Sequence, residues 1–116
     1  MCLRKIFKCS VEESIKEIEI PYGFVEIGTF GFSSCSSLIN ITIPNSVTKI
    51  GLNAFEECLS LTNITIPNSV TEIGGCAFKG CSSLINITIP NSVTEIGNNA
   101  FRELFITYKY YNSRRH

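Results

Sequence analysis

The stretch CSSLINITIPNSVTKIGLNAFEE occupies residues 35–57, and CLSLTNITIPNSVTEIGGCAFKG (58–80) and CSSLINITIPNSVTEIGNNAFRE (81–103) follow it without a gap. The first and last of the three agree at 20 of 23 positions. Working backwards, EESIKEIEIPYGFVEIGTFGFSS (12–34) keeps the same frame in degenerate form, with Ile18, Ile20, Pro21, Ile27, Gly28 and Phe32 on their counterparts. A fixed period between 20 and 50 residues is the signature of a stacked array. The chain therefore divides into four 23-residue repeats over 12–103 (12–34, 35–57, 58–80 and 81–103). Residues 1–11 are left as an N-terminal cap or half-coil, and residues 104–116 as a C-terminal cap strand or frayed tail.

Each position in the repeat has a physical role. Leu38, Ile41 and Ile43 point inward from a half-buried strand while Asn40 and Thr42 point out, because strand side chains alternate between faces. Pro44 cannot donate to a ladder and ends the strand, and Asn45-Ser46 continue as turn chemistry. Val47 and Ile50 face inward from a second extended segment. Gly51 marks a place that needs either positive φ or close backbone approach. Asn53 to Glu57 reads as one helical or 3-10 turn with Ala54 and Phe55 inward, and Cys58 closes the coil.

One such unit cannot stand alone. It buries about six large apolar side chains at roughly 2 kcal/mol each, while ordering 23 residues costs on the order of 1.5 kcal/mol apiece. Stacking lets neighbours share both faces of their cores. Equivalent residues then form columns: Ile20/Ile43/Ile66/Ile89, Phe32/Phe55/Phe78/Phe101, Gly31/Ala54/Ala77/Ala100 and Cys35/Cys58/Cys81. With strands about 4.8 Å apart, four coils make a stack roughly 20 Å long.

The pattern L-x-x-I-x-I-P-x-S-V-x-x-I-G-x-x-A-F-x-x-C over residues 12–103 resembles the BspA-type, or Treponema pallidum-type, leucine-rich repeat. The resemblance implies a curved, right-handed leucine-rich-repeat solenoid, mainly β with short helical or 3-10 turns, having one face of strands and one of short turns. It also implies binding to other proteins, often as a cell-surface adhesin of an anaerobic bacterium or parasitic protist.

Composition narrows the functional classes. Ten basic and ten acidic residues give zero net charge, so the electrostatic footprint of a nucleic-acid binder is missing. No apolar run is long enough for a membrane helix. Cys2 to Val11 lacks the apolar core of a secretory signal, so the chain as written is expected in the cytoplasm, and at the cell surface or outside if it is a fragment of a longer protein. The one histidine, His116, is the last residue, and no Ser-His-Asp or Cys-His arrangement can be built without it. No catalytic, cofactor or metal residues are assigned, and the chain is read as non-enzymatic.

The cysteine column is expected as buried, reduced thiols, with a disulfide clip or a thiolate metal site as the alternatives. A linear column supplies at most three ligands, whereas zinc takes four converging ones. The candidate ligand face is the outward side of the first strand in each repeat: Glu17, Glu19, Asn40, Thr42, Asn63, Thr65, Asn86 and Thr88. It is read as a recognition surface for a protein, or alternatively a glycan. The competing reading is that stacked Asn and Thr bond one another and keep the sheet soluble. Three Asn-Ile-Thr sequons fall on this face and are explained by the repeat itself. Glu26, Lys49, Glu72 and Glu95 form a second outward column of solvated charge. The solenoid edges are candidates for self-association. The alternative to a ligand-binding module is a scaffold, or a fragment of a longer surface repeat protein, with no ligand of its own.

Overall fold

The computed structural model describes residues 15–85 and 87–102, and the backbone of Lys109–Tyr110. The strands are short and parallel. The first extended segment of each repeat gives β1 (Glu17–Glu19), β3 (Asn40–Thr42), β5 (Asn63–Ile64) and β7 (Thr88–Ile89). The second gives β2 (Glu26–Ile27), β4 (Lys49–Ile50), β6 (Glu72–Ile73) and β8 (Glu95–Ile96). Sheet order is β1-β3-β5 on one side of the coil and β2-β4-β6-β8 on another. Every register between adjacent repeats is a shift of one repeat: Asn40 lies beside Glu17 and Asn63, and Lys49 beside Glu26 and Glu72. In the tail, β9 (Lys109–Tyr110) pairs in parallel with β7, placing Lys109 beside Thr88 and Tyr110 beside Ile89.

The inward columns form one core. Leu38, Val47, Ile50, Ala54, Phe55, Cys58 and their equivalents in the next repeat are wholly buried. The phenylalanine rings stack along the axis, with centroids 5.3 Å apart for Phe32–Phe55, 5.2 Å for Phe55–Phe78 and 5.6 Å for Phe78–Phe101, all within 7° of parallel. Those separations are the coil spacing made visible. At this distance parallel rings are offset rather than face to face, the arrangement their quadrupoles favour.

The prolines end their strands as expected. Val47, Val70 and Val93 each donate back to the carbonyl three residues earlier, that of Pro44, Pro67 and Pro90, at 3.1 Å. Serines sew this turn to the preceding coil: Ser46 Oγ donates to the Phe24 carbonyl at 2.7 Å, and Ser69 Oγ to that of Val47 at 2.6 Å.

The third side differs from the expected single helical turn. Among the described residues there is no α or 3-10 helix. Instead, turn bonds and inter-coil bonds alternate residue by residue. Ala54, Glu56 and Cys58 donate three residues back, to Gly51, Asn53 and Phe55, while Asn53, Phe55 and Glu57 donate forward to Gly75, Ala77 and Lys79 of the next coil. The reason is a left-handed residue at each end of the segment. Phe30, Asn53, Cys76 and Asn99 recur at φ 56–63°, and Ser34, Glu57 and Gly80 follow at φ 62–79°. A left-handed residue turns its N–H out of the helical path and toward the neighbouring coil. For a non-glycine residue this conformation costs roughly 1 kcal/mol, which the inter-coil bond offsets by satisfying an otherwise buried backbone donor.

Gly51 resolves to close approach rather than positive φ. A Cβ there would lie 2.8 Å from the Ile27 carbonyl oxygen, and one at Gly74 would lie 2.7 Å from the backbone of Gly51 and Leu52. The coils turn a tight inner corner along this glycine column.

Candidate functional site

The outward side of β1, β3 and β5 carries most of the predicted ligand face, and the structure brings its columns together as predicted from the period. The asparagines form a directional ladder. Asn63 Nδ2 donates to Asn40 Oδ1 at 2.9 Å, and Asn40 Nδ2 donates to Glu17 Oε2 at 3.4 Å. The ladder therefore runs toward the first coil and ends on a carboxylate, the one side chain in the rank that only accepts. Glu19, aligned with Thr42, is exposed. Asn86 lies outside the described residues, whereas Thr88 is described and exposed.

The threonine column behaves differently. Thr42 and Thr65 are exposed, and neither hydroxyl bonds to another side chain or carbonyl among the described residues. Threonines on the other sheet spend theirs internally: Thr48 Oγ1 donates to the Val25 carbonyl and Thr71 Oγ1 to that of Thr48, each at 3.3 Å. Thr42 and Thr65 also form the common ridge between two shallow depressions. One, about 330 Å³, opens over Glu17, Asn40 and Asn63; the other, about 440 Å³, opens toward Asn45 and Asn68.

A third depression was not foreseen. A groove of about 620 Å³ runs across β4, β6 and β8, between the Lys49, Glu72 and Glu95 column and Leu52, with the glycine corner as its floor. Leu52 and neighbouring Phe30 are about half exposed. Lys49 Nζ lies 3.8 Å from Glu72 Oε2, while Glu72 and Glu95 stand beside each other in register. The sequence held a signal for this groove, since a glycine column flanks a charge column, but glycine alone does not say whether a corner bends inward.

The cysteine column requires a correction. Cys58 and Cys81 are buried free thiols, and Cys76, on the turn side, is a half-buried one. Cys35, however, is disulfide-bonded, so the expectation of three reduced thiols fails at the first coil. The physical reason lies in what each thiol meets. Cys58 Sγ donates to the Phe32 carbonyl and Cys81 Sγ to the Phe55 carbonyl, each at 3.0 Å, so both are engaged by the coil before. Cys35 heads the column, and its partner is none of the described cysteines, since those are free. Hydrogen bonding with Cys58, then burial, push the Cys81 thiol well above the ordinary thiol range. It stays protonated and is a poor nucleophile. Among the described residues no three His, Cys, Asp or Glu side chains are grouped to hold a metal ion, and no helix is long and apolar enough to cross a membrane.

A family profile described as a BspA type leucine rich repeat region (6 copies) matches residues 4–114. The chain belongs to the BspA-type leucine-rich repeat family. Repeat modules of this family are generally non-enzymatic. Among solved structures, a leucine-rich repeat protein from Bacteroides ovatus is similar over 83% of this chain, with 34% identity and a TM-score of 0.75. The T. pallidum leucine rich repeat protein is similar over 84%, with 30% identity and a TM-score of 0.67. The pneumococcal vaccine antigen PcpA shares the fold over 84% at 23% identity, with a TM-score of 0.62. The chain spans 30% of the Bacteroides protein, 58% of the T. pallidum protein and 31% of PcpA. No curated protein matches it.

Proposed function

We propose that this chain is a non-enzymatic interaction module that binds an extended protein segment across β1, β3 and β5, in the manner of an adhesive surface repeat. One observation carries the reading. The Thr42 and Thr65 hydroxyls stand unengaged on a ridge, beside an asparagine ladder whose side chains are already ordered by one another. Side chains held in place before binding lose little rotamer freedom when a ligand arrives. The free hydroxyls then supply donors and acceptors at one-coil spacing. A face about 20 Å long lies at the low end of the usual interface size, so modest affinity is expected from a single copy. Glu17 and Glu19 add negative charge at the first-coil end, which favours a ligand with a basic residue there. Repeated copies along a longer array, or association of chains through their edges, raise the effective affinity by multivalency.

Selection of binders from a displayed library of random 16-residue peptides tests this. Selected peptides are expected to lose at least tenfold in binding to Thr65→Arg and to keep it with Glu95→Arg, which changes the other sheet. Peptides that respond only to Glu95→Arg would move the site to the larger groove. A selection that yields no binder would favour a scaffold without its own ligand.

A further inference from the structure

We propose that the groove across β4, β6 and β8 is a second docking site, which takes a short basic and apolar segment of a partner protein, with an arginine beside the carboxylates and an apolar side chain against Leu52. The glycines that line the groove are of two kinds. A Cβ at Gly51 or Gly74 would lie 2.8 or 2.7 Å from backbone of the coil before, and one at Gly97 closer still, so the stacking itself demands that column. It does not demand Gly75. The φ of Gly75 is not left-handed, and the nearest atoms to a Cβ there would be the Asn98 carbonyl oxygen at 3.2 Å and Leu52 Cδ2 at 3.4 Å, contacts that a small shift relieves. The same place in the other coils carries Thr29, Leu52 and Asn98. What glycine contributes at 75 is space: it lines the groove beside Leu52, and a side chain there would stand in it.

The walls state the chemistry of the occupant. On one side Leu52 is 53% exposed, and Phe30, whose N–H donates to the Leu52 carbonyl, is 51% exposed. On the other, Lys49 Nζ lies 3.8 Å from Glu72 Oε2. The column then places a second glutamate where alternation would place a cation, and Glu95 stands beside Glu72 in register. Glu95 is exposed, and its carboxylate has neither a cation nor a hydrogen-bond donor among the described residues. Like charges directly opposite on adjacent strands repel. A guanidinium relieves that repulsion, because its planar fork of donors can reach both of two carboxylates on strands about 4.8 Å apart. The floor between the walls is glycine, so the backbone of a bound segment can lie close to it. Every group in this argument is on the other sheet from the Thr42 and Thr65 ridge, and the site does not depend on that ridge.

Titration of the ¹⁵N-labelled full chain with the peptide acetyl-Gly-Arg-Leu-Gly-amide, followed by amide NMR shifts, tests the site. So short a segment should bind with a Kd on the order of 1 mM, too weakly to be recovered from a displayed library. The expected result is a set of saturating shifts at the amides of Gly74, Gly75, Glu95 and Gly97. Acetyl-Gly-Glu-Leu-Gly-amide should bind about fivefold more weakly or worse, the scale set by exposed charge pairs, and added salt should weaken the arginine peptide. Glu95→Lys should cost the arginine peptide about fivefold or more, whereas Thr65→Arg should leave its shifts unchanged. Gly75→Leu, which fills the groove, should also abolish them; its own amide spectrum shows whether it folds, and Glu95→Lys, a change at an exposed side chain, decides the question if it does not. Equal shifts with the two peptides, insensitivity to Glu95→Lys, shifts confined to β1, β3 and β5, or no shifts at all would overturn the proposal. Shifts at the groove amides that follow the chain's own concentration with no peptide present would make a second copy the occupant and overturn it as well. Loss of the ridge site on the first sheet leaves every one of these outcomes readable.

Discussion

Replacing Phe78 with alanine should remove about 4 kcal/mol of stability. Phe78 is wholly buried, and its ring lies between those of Phe55, at 5.2 Å, and Phe101, at 5.6 Å. Returning the ring's apolar surface to water forfeits roughly 2–3 kcal/mol. Each of the two stacked contacts is worth about 0.5–1.5 kcal/mol beyond area, and the total falls inside the range of about 3–5 kcal/mol seen for buried phenylalanine truncations. Collapse into the hole is resisted, because the backbone on either side is pinned by Phe55 N–H to the Ala77 carbonyl and Phe78 N–H to the Ala100 carbonyl. The third coil also has a neighbour on each side, so both nearest-neighbour interfaces weaken together. A domain of this length holds on the order of 6–17 kcal/mol in all. Urea unfolding followed by circular dichroism measures the loss, since the chain has no tryptophan; the midpoint should fall by roughly 2 M for an m-value near 2 kcal/mol/M. Thr65→Ala, on the exposed face, is the control and should cost less than about 1 kcal/mol. Equal losses for the two variants, or a loss below about 1 kcal/mol for Phe78→Ala, would refute the column as the source of stability.

Gly74→Ala should destabilise by more than about 2 kcal/mol, because its Cβ would meet backbone rather than a movable side chain; Gly23→Ala, whose Cβ meets nothing within 4 Å but sits at φ 111°, isolates the purely conformational cost, and thermal melts compare them. Cys81 gives a pH dependence. Its folded pKa is raised, so the folded chain binds a proton that the unfolded chain releases above its ordinary value of 9.0. Stability from this group is therefore complete below about pH 9 and falls at higher pH by up to ~1.4 kcal/mol per unit; Cys81→Ala should flatten that alkaline slope in urea titrations, and an unchanged slope would show that the thiol does not contribute. Truncation after Glu103 removes the β9 strand from the edge of β7 and should produce dimers or larger species by light scattering, because an uncovered parallel edge recruits another chain; a stable monomer at high concentration would show that β9 is dispensable.

The sequence by itself determined the repeat, the period and the inward columns. Translation by 23 residues brings like onto like, and a residue that is apolar in four successive coils has nowhere to go but the shared core. The strand ends were equally legible, since proline withholds its donor wherever it stands. The left-handed positions were not, because Phe30, Asn53, Cys76 and Asn99 have no side-chain property in common; Phe30, Asn53 and Cys76 share instead a backbone N–H that reaches the next coil, and that need exists only once coils are stacked. The groove beside the glycine column has the same origin: the direction of a corner is set by how closely two coils approach, not by any residue within one. The cysteines state the limit most sharply. Cys35, Cys58 and Cys81 occupy identical places in the repeat, yet one is bonded and two are free. Local sequence cannot distinguish them; Cys58 and Cys81 each meet a carbonyl that only the stacking of coils brings within reach, while Cys35 is bonded instead.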